Sequence, residues 1–387
     1  MLRNKRASFM SEATIVVDTK TKQLCMRIQP NQIAVIAHED VDEVAADALI
    51  EAKALAVINT CSFMTGTYPS IGAKKLLEAG VPLFEIHDSM EKLTAIQMSD
   101  GIATKIHDKT FFVRSNSEWE PIACLVPVTM DHIWSKTEEA NRKLDRTLSQ
   151  FIDNTLQFAK WEKNLFMKPI PSLQLRATLA NRHVVVVVRG KHYREDLRML
   201  SAYIKECKPI LLAVDGGADA LLDAGYQPDI IIGDMDSISD KALLSGAEVV
   251  VHAFVNGEAP GQHRVENLGV DYQLLPAPGT SEDVAMLLAF EQEAELIVTI
   301  GTHSNMIDFL EKGRKGMAST LLVRTKIGPK LIDAKGVSQL YQPRMNANVW
   351  ALFLIATLVP ILAIIAVNPV TRHVVQMLYQ QWITLSF

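Results

Sequence analysis

The sequence is poor in the residues that build disulfide or zinc frameworks. It has four cysteines in 387 residues, Cys25, Cys61, Cys124 and Cys207, far apart and never as CxxC. That pattern excludes a disulfide-stapled scaffold and a cysteine-rich zinc site, and it fits reduced thiols in the cytosol. There is no Lys/Arg block, and the net charge is −5; nucleic acid is not expected as a partner. Neither GxGxxG nor GxxxxGKS/T occurs, so both common phosphate-binding signatures are missing. The opening stretch MLRNKRASFMSEATIVV has two short basic patches and no apolar run. It does not read as a signal peptide, which puts the bulk of the chain in the cytoplasm.

Hydrophobic residues make up 48% and charged residues 21% of the chain. A sizeable core and about two domains are expected from such a composition and length. One run stands apart. Val349 to Val367, VWALFLIATLVPILAIIAV, has no charge at all. As a helix it would be about 28 Å long, close to the ~30 Å hydrocarbon core of a bilayer. Pro360 is tolerated in such helices, and Trp350 lies where interfacial tryptophans are favoured. A single C-terminal span is therefore expected. Lys326, Lys330, Lys335 and Arg344 precede it and only Arg372 follows, which places residues 1–348 on the cytoplasmic side of a cytoplasmic membrane. The tail, 368–387, would lie outside. It is apolar and aromatic, suited either to the outer leaflet or to a membrane partner protein, and a plain interfacial tail is an equal alternative.

The N-terminal half alternates strand and helix signals. IAVIA (33–37) reads as a buried strand, 41–55 as a helix, and a further strand begins at Ala56. The turn-rich NTCSFMTGTYPSIG (59–72) leads to a helix over 73–79 and a strand over 82–86. Residues 101–128 read as a small β segment. Residues 132–165 read as a polar connecting helix, with Trp134, Leu144, Leu148, Ile152, Leu156 and Phe158 as its buried positions. Self-association of the chain through this helix is an open alternative.

The second half carries the chemistry. VVVVV (184–188) is apolar throughout, as in a central parallel strand, and ends at Arg189. ILLAV (210–214) ends at Asp215, Gly216 and Gly217, and III (230–232) ends at Gly233, Asp234, Met235, Asp236 and Ser237. Ligands of open α/β sheets bind beyond the carboxyl ends of strands. Carboxylates gathered there suit Mg²⁺, which takes oxygen ligands and bridges to phosphates. A third acidic position is Asp283 in PGTSED, although Thr280 and Asp283 equally fit a helix capping box. ELIVTIG (295–301) then ends at Gly301, Thr302 and His303. Lys312, Arg314 and Lys315 follow, either as phosphate partners or as a solvated helix end.

At these residues a family resemblance appears. DGGADALLDAGYQPDIIIGDMDS (215–237) resembles the catalytic domain of thiamin pyrophosphokinases, which transfer pyrophosphate from ATP to thiamin with Mg²⁺. The resemblance implies Asp234, Asp236 and Asp283 as catalytic metal ligands, with Asp215 lining the nucleotide or substrate pocket. Arg189, Gly216, Gly217, Gly233, Ser237, Thr280, Ser281, Gly301, Thr302 and His303 complete the ligand-binding set. Where that family has a Gly-Gly-Arg-x-Asp-His-like motif, this chain reads Gly301-Thr302-His303-Ser304-Asn305. The chain is similar more widely to SteA-type proteins, membrane-anchored relatives linked in actinobacteria to cytokinesis and cell separation. The similar stretches include HEDVDEVAADALIEAKALAVINT, TGTYPSIGAKKLLEAGVPL, HVVVVVRGKHYREDL and GTHSNMIDFLEKGRKGMASTLLVR. The expected organisation is an α/β N-terminal domain (1–131), a helical connector (132–180), a pyrophosphokinase-like parallel-sheet domain (181–343), and an anchor with a short tail (344–387). The implied function is a membrane-anchored division factor that binds a nucleotide with Mg²⁺. The alternatives are an active pyrophosphokinase and a non-catalytic membrane scaffold.

Overall fold

A computed structural model describes residues 11–86, 100–115, 118–335 and 347–385. The basic patches of residues 1–10, the stretch 336–346 with Arg344, and Phe387 lie outside the described residues. Residues up to Lys335 form one unit and the C-terminal residues a second.

The N-terminal half closes into a barrel. Its strands are β1 (Ser11–Asp18), β2 (Ile33–Ile36), β3 (Ala56–Asn59), β4 (Leu83–Ile86), β5 (Ala103–His107), β6 (Thr110–Ser115) and β7 (Glu118–Pro127), in the order β1-β2-β3-β4-β7-β6-β5. β1 to β4 are parallel, while β4–β7, β7–β6, β6–β5 and β5–β1 pair antiparallel. Side chains alternate along a strand, and here both faces are apolar. Ile15, Ile33, Val35, Ile58, Ile106, Phe111 and Leu125 fill the interior. Val16, Ala34, Ile36 and Val57 pack outward beneath Leu24, Leu49 and Leu76 of the helices Thr21–Arg27, Glu43–Glu51 and Gly72–Glu78. The 101–128 segment is thus the closing wall of this barrel.

A 38-residue helix, Met130–Met167, follows, with Thr129 capping it through the His132 amide. Its buried positions are Ile133, Ala140, Phe151, Thr155 and Phe166. This corrects the sequence expectation: Trp134 is 57% exposed and Leu156 58%. The helix has two neighbours in turn, so no single stripe governs it. Ile133 and Ala140 join the barrel's core, whereas Phe166 joins that of the next domain.

That domain is a seven-stranded parallel sheet ordered β12-β11-β10-β9-β8-β13-β14. The strands are β8 (His183–Val187), β9 (Ile210–Val214), β10 (Ile230–Gly233), β11 (Glu248–Ala253), β12 (Tyr272–Pro276), β13 (Leu296–Ile300) and β14 (Leu331–Asp333). The valines of β8 are buried because helices cover both faces. The chain steps outward from β8 to β12, then returns to β13 on the other side of β8. The topological switch, where open sheets bind ligands, therefore lies between the ends of β8 and β13.

The C-terminal unit has two helices, Ala347–Val367 and Pro369–Leu385. The first has 21 residues, with Pro360 inside and no acidic or basic residue in its end turns. Among the described residues no helix is long and apolar enough to cross a membrane. The expected span at 349–367 falls on this helix, several of whose side chains (347–351, 365 and 366) are outside the described set. Leu352, Phe353, Leu354, Ile355, Leu358, Val359, Ile361, Leu362 and Ile364 are all exposed.

Candidate functional site

Because the sheet is parallel, the strand-end residues singled out in the sequence all fall on one edge. Asp215 follows β9 with φ of 45°, a left-handed conformation that few non-glycine residues adopt. Such strain is an observed mark of functional positions. Its carboxylate accepts from the Met235 amide at 3.0 Å, which ties the end of β9 to the end of β10. Gly233 has to be glycine, since a Cβ there would lie 1.9 Å from Asp215 Oδ1. Asp234 Oδ1 accepts from the Asp236 amide at 3.3 Å. Arg264 holds the turn from outside, donating to the Met235 and Ile238 carbonyls at 2.6 Å each.

This acidic group is poorly neutralised. Burial, and then the charge of Asp234, push the Asp215 carboxyl up to about 7. Burial, and then Asp236, raise Asp234. Asp236 is half-buried, which would raise it, yet it is held below the usual range by Lys22, by hydrogen bonds from Asp234 and Ser237, and by Lys20. Lys20 Nζ lies 3.4 Å from Asp236 Oδ2.

The carboxylates of helix Ser281–Glu291 behave differently. Thr280 and Asp283 form a complete capping box. Asp283 accepts from the Thr280 amide (3.1 Å) and hydroxyl (2.9 Å) and from the Thr320 hydroxyl (2.9 Å). It is fully buried, and burial raises its pKa. The structure thus takes the capping alternative for Asp283. Among the described residues no group of three or more His, Cys, Asp or Glu is placed to hold a metal. Asp283 spends three of its acceptor sites on the helix start and on Thr320. Ser281 Oγ is 3.2 Å from His252 Nδ1. Neighbouring Glu282, absent from the sequence-based set, accepts from His303 Nδ1 (2.7 Å), the His303 amide (3.0 Å) and Lys312 Nζ (3.2 Å). Burial opposes its charge, but His303 and Lys312 hold it at about 2.

At the β8/β13 switch the two chains nearly touch. A Cβ on Gly190 would lie 2.0 Å from the Gly301 carbonyl. Thr302 is buried and accepts from Arg324 Nη2 at 2.9 Å. The Arg189 guanidinium borders Gly216, whose Cβ would come within 3.0 Å of it. The structure therefore gathers Asp215, Asp234 and Asp236 at one point, with Arg189 and Gly216 beside them. Thr280 and Asp283 serve the helix start, and His303 serves Glu282.

Two family models match the chain. Residues 201–252 match the thiamin pyrophosphokinase catalytic domain, and residues 335–385 match the SteA-like C-terminal domain. The first stretch contains Asp215, Asp234 and Asp236 and stops before Asp283. The architecture is thus pyrophosphokinase-like in the parallel-sheet domain and SteA-like at the C-terminus. Similar solved structures include thiamine pyrophosphokinase from Bacillus subtilis, 22% identical over 39% of this chain and 60% of that one, with a TM-score of 0.24. The enzyme from Geobacillus thermodenitrificans is 23% identical over 39% and 57%, also at 0.24. The MAf glycosyltransferase from Magnetospirillum magneticum is 13% identical over 73% and 48%, at 0.26. The chain spans less than two thirds of each of these chains, and at such scores the likeness carries no functional weight. None of the curated proteins matches.

Lys20, Glu282, Arg264 and Arg324 were missed by sequence reasoning, while Lys312, read as a phosphate partner or a solvated helix end, pairs with Glu282. Only Glu282 had a local signal, its place beside Asp283. Lys20 meets a partner 216 residues away, which no spacing rule detects.

Proposed function

We propose that the parallel-sheet domain binds a nucleotide, or another pyrophosphate-bearing ligand, together with Mg²⁺ beyond the ends of β9 and β10. The observation that carries this is the acidic group itself: the Asp215 carboxylate binds the Met235 amide between Asp234 and Asp236, burial pushes Asp215 up to about 7, and Asp234 is raised as well. Oxygen donors at one strand end fit a hard divalent cation that completes its shell with phosphate and water. Asp234 and Asp236 would hold the ion, with Asp215 adding charge behind them. The ion would neutralise polyphosphate charge. Arg189 and the small Gly216 and Gly217 would let a phosphate chain lie close to the backbone. The test is ATP binding by the full chain with and without Mg²⁺, beside Asp234→Asn/Asp236→Asn. Binding that ignores both Mg²⁺ and the double substitution would refute the reading.

A second reading, an active pyrophosphokinase, is favoured by the Glu282–His303 pair. His303 Nδ1 lies between Glu282 Oε1 (2.7 Å) and Lys312 Nζ (3.0 Å), and Nε2 is the nitrogen that would take a proton from an acceptor hydroxyl. The β-phosphorus would pass to that oxygen and AMP would leave. AMP release dependent on an acceptor such as thiamin, and lost in His303→Ala, supports it. Binding without turnover supports a nucleotide-responsive scaffold.

For the whole chain we propose a membrane-tethered division or cell-separation factor with residues 1–348 in the cytoplasm. The uncharged sequence 349–367 and the SteA-like match over 335–385 support this. The helix or tail would meet any membrane partner. Extraction by alkaline carbonate, or an even membrane distribution of a fluorescent fusion in dividing cells, would count against it.

A further inference from the structure

The barrel's first turn reaches the acidic site. After β1, the Lys20 amide donates to Asp18 Oδ1 at 2.9 Å, which fixes the turn. The Asp18 carboxylate is already paired with Arg27 at 2.8 Å. The Lys20 ammonium is therefore free to extend across to Asp236, 3.4 Å away. Lys22, two residues on, is exposed in the first turn of the helix Thr21–Arg27 that follows, and its charge lowers Asp236. On the sheet side Arg189 borders Gly216, next to Asp215. The barrel thus brings cations to the aspartates of the sheet domain.

Holding the domains together does not account for the two lysines. Lys20 is 59% exposed and Asp236 38%, and exposed pairs contribute little to stability. The domains are joined elsewhere by stronger contacts. Lys191 is 19% exposed and bridges Glu43 of the barrel to Glu311 of the sheet domain. Arg194 pairs with Glu51.

We propose that Lys20 and Lys22 form a phosphate clamp that the barrel contributes to the site. In the free chain they act as counter-ions of the aspartates. With a Mg²⁺-bound polyphosphate in place, Asp234 and Asp236 would hold the metal and the two lysines would be free to donate to phosphate oxygens. The ligand class is one with adjacent phosphates, a triphosphate or diphosphate, whose several charges match two lysines. This gives the N-terminal domain a part in binding, and it rests on the reading above.

The experiment is calorimetric titration of the full chain and of Lys20→Ala/Lys22→Ala with Mg²⁺ alone, inorganic triphosphate plus Mg²⁺, and ATP plus Mg²⁺, at two salt concentrations. Both lysines are exposed, so the variant should melt as the native chain does. Loss of the clamp should weaken triphosphate and ATP binding by about tenfold or more and flatten the salt dependence. Mg²⁺ alone should bind as tightly or more tightly, because competing cations are gone. Lys20→Arg/Lys22→Arg should keep most of the affinity. Unchanged triphosphate affinity in the alanine variant overturns the clamp and leaves the metal site standing. A parallel loss of Mg²⁺ affinity overturns it as well, since that marks a structural role. If the native chain binds Mg²⁺ but neither polyphosphate, the clamp and the nucleotide reading both fall.

Discussion

Two groups of carboxylates lie on the same edge of one sheet, and they differ in what neutralises them. Glu282 has His303 and Lys312 against it and stays ionised at about 2 although it is buried. Asp283 beside it is protected by three hydroxyl and amide donors. Asp215 and Asp234, a few strands away, are raised by burial and then by a neighbouring carboxylate, whereas the burial that raises Asp283 is opposed by its hydrogen bonds. A buried acid with a matched partner is part of the framework. A group of acids without enough partners costs stability, and a cation explains why it is kept. The contrast separates structural from functional acids more surely than their spacing in the sequence does.

The sharpest way to break this contrast is to remove the charge on each side. Asp234→Asn/Asp236→Asn should abolish Mg²⁺-dependent ATP binding, a loss of 100-fold or more being on the order of 3 kcal/mol. Its unfolding midpoint in urea should stay level or rise, since repulsion is relieved. A marked fall would place these aspartates in the framework instead.

The two sides should also respond to pH with opposite sign. Unfolded Asp and Glu titrate near about 3.9 and 4.3. Asp215 is raised to about 7, so the native chain holds more protons than the unfolded chain between those values. Stability should fall as pH rises from about 4 to 7, by up to about 4 kcal/mol, and Asp215→Asn or added Mg²⁺ should flatten that slope. Glu282 is lowered to about 2. Its contribution of about 3 kcal/mol is present above pH ~4.3 and is lost as pH falls from there to about 2. Glu282→Gln should cost a similar amount at pH 7, roughly 3 kcal/mol, because it leaves Lys312 and His303 without their carboxylate partner. Chemical denaturation across pH checks both signs; a Glu282→Gln chain as stable as the native one would erase the distinction.

How much of this was legible in the sequence varies with the range of the interaction. β8, β9, β10 and β13 were readable because unbroken runs such as HVVVV and ILLAV are what doubly covered strands require. The acidic turn was readable because GDMDS directly follows such a run. Closure of the barrel was not: β5 to β7 pair with β4 and β1 across long separations that no local pattern encodes. β11, β12 and β14 went unremarked, the last being only three residues long. The long helix misled because its buried face changes neighbour along its length. Asp283 was ambiguous on spacing alone, since a metal ligand and a cap can occupy the same position before a helix.

Asp283 also offers the smallest and most local test. Thr280→Ala removes the cap of helix Ser281–Glu291 together with a hydroxyl that donates to Asp283. Losing an N-cap costs about 1 kcal/mol, and a buried carboxylate left with one fewer donor adds roughly 1 kcal/mol more. Thr320 still donates to the other oxygen, so collapse of the fold is not expected. Thr280→Ser keeps the hydroxyl and should recover most of the loss. Mg²⁺ affinity should not move in either variant, because in this structure Asp283 serves its helix. A large drop in Mg²⁺ affinity for Thr280→Ala would return Asp283 to the metal site and dissolve the boundary between the two groups of acids.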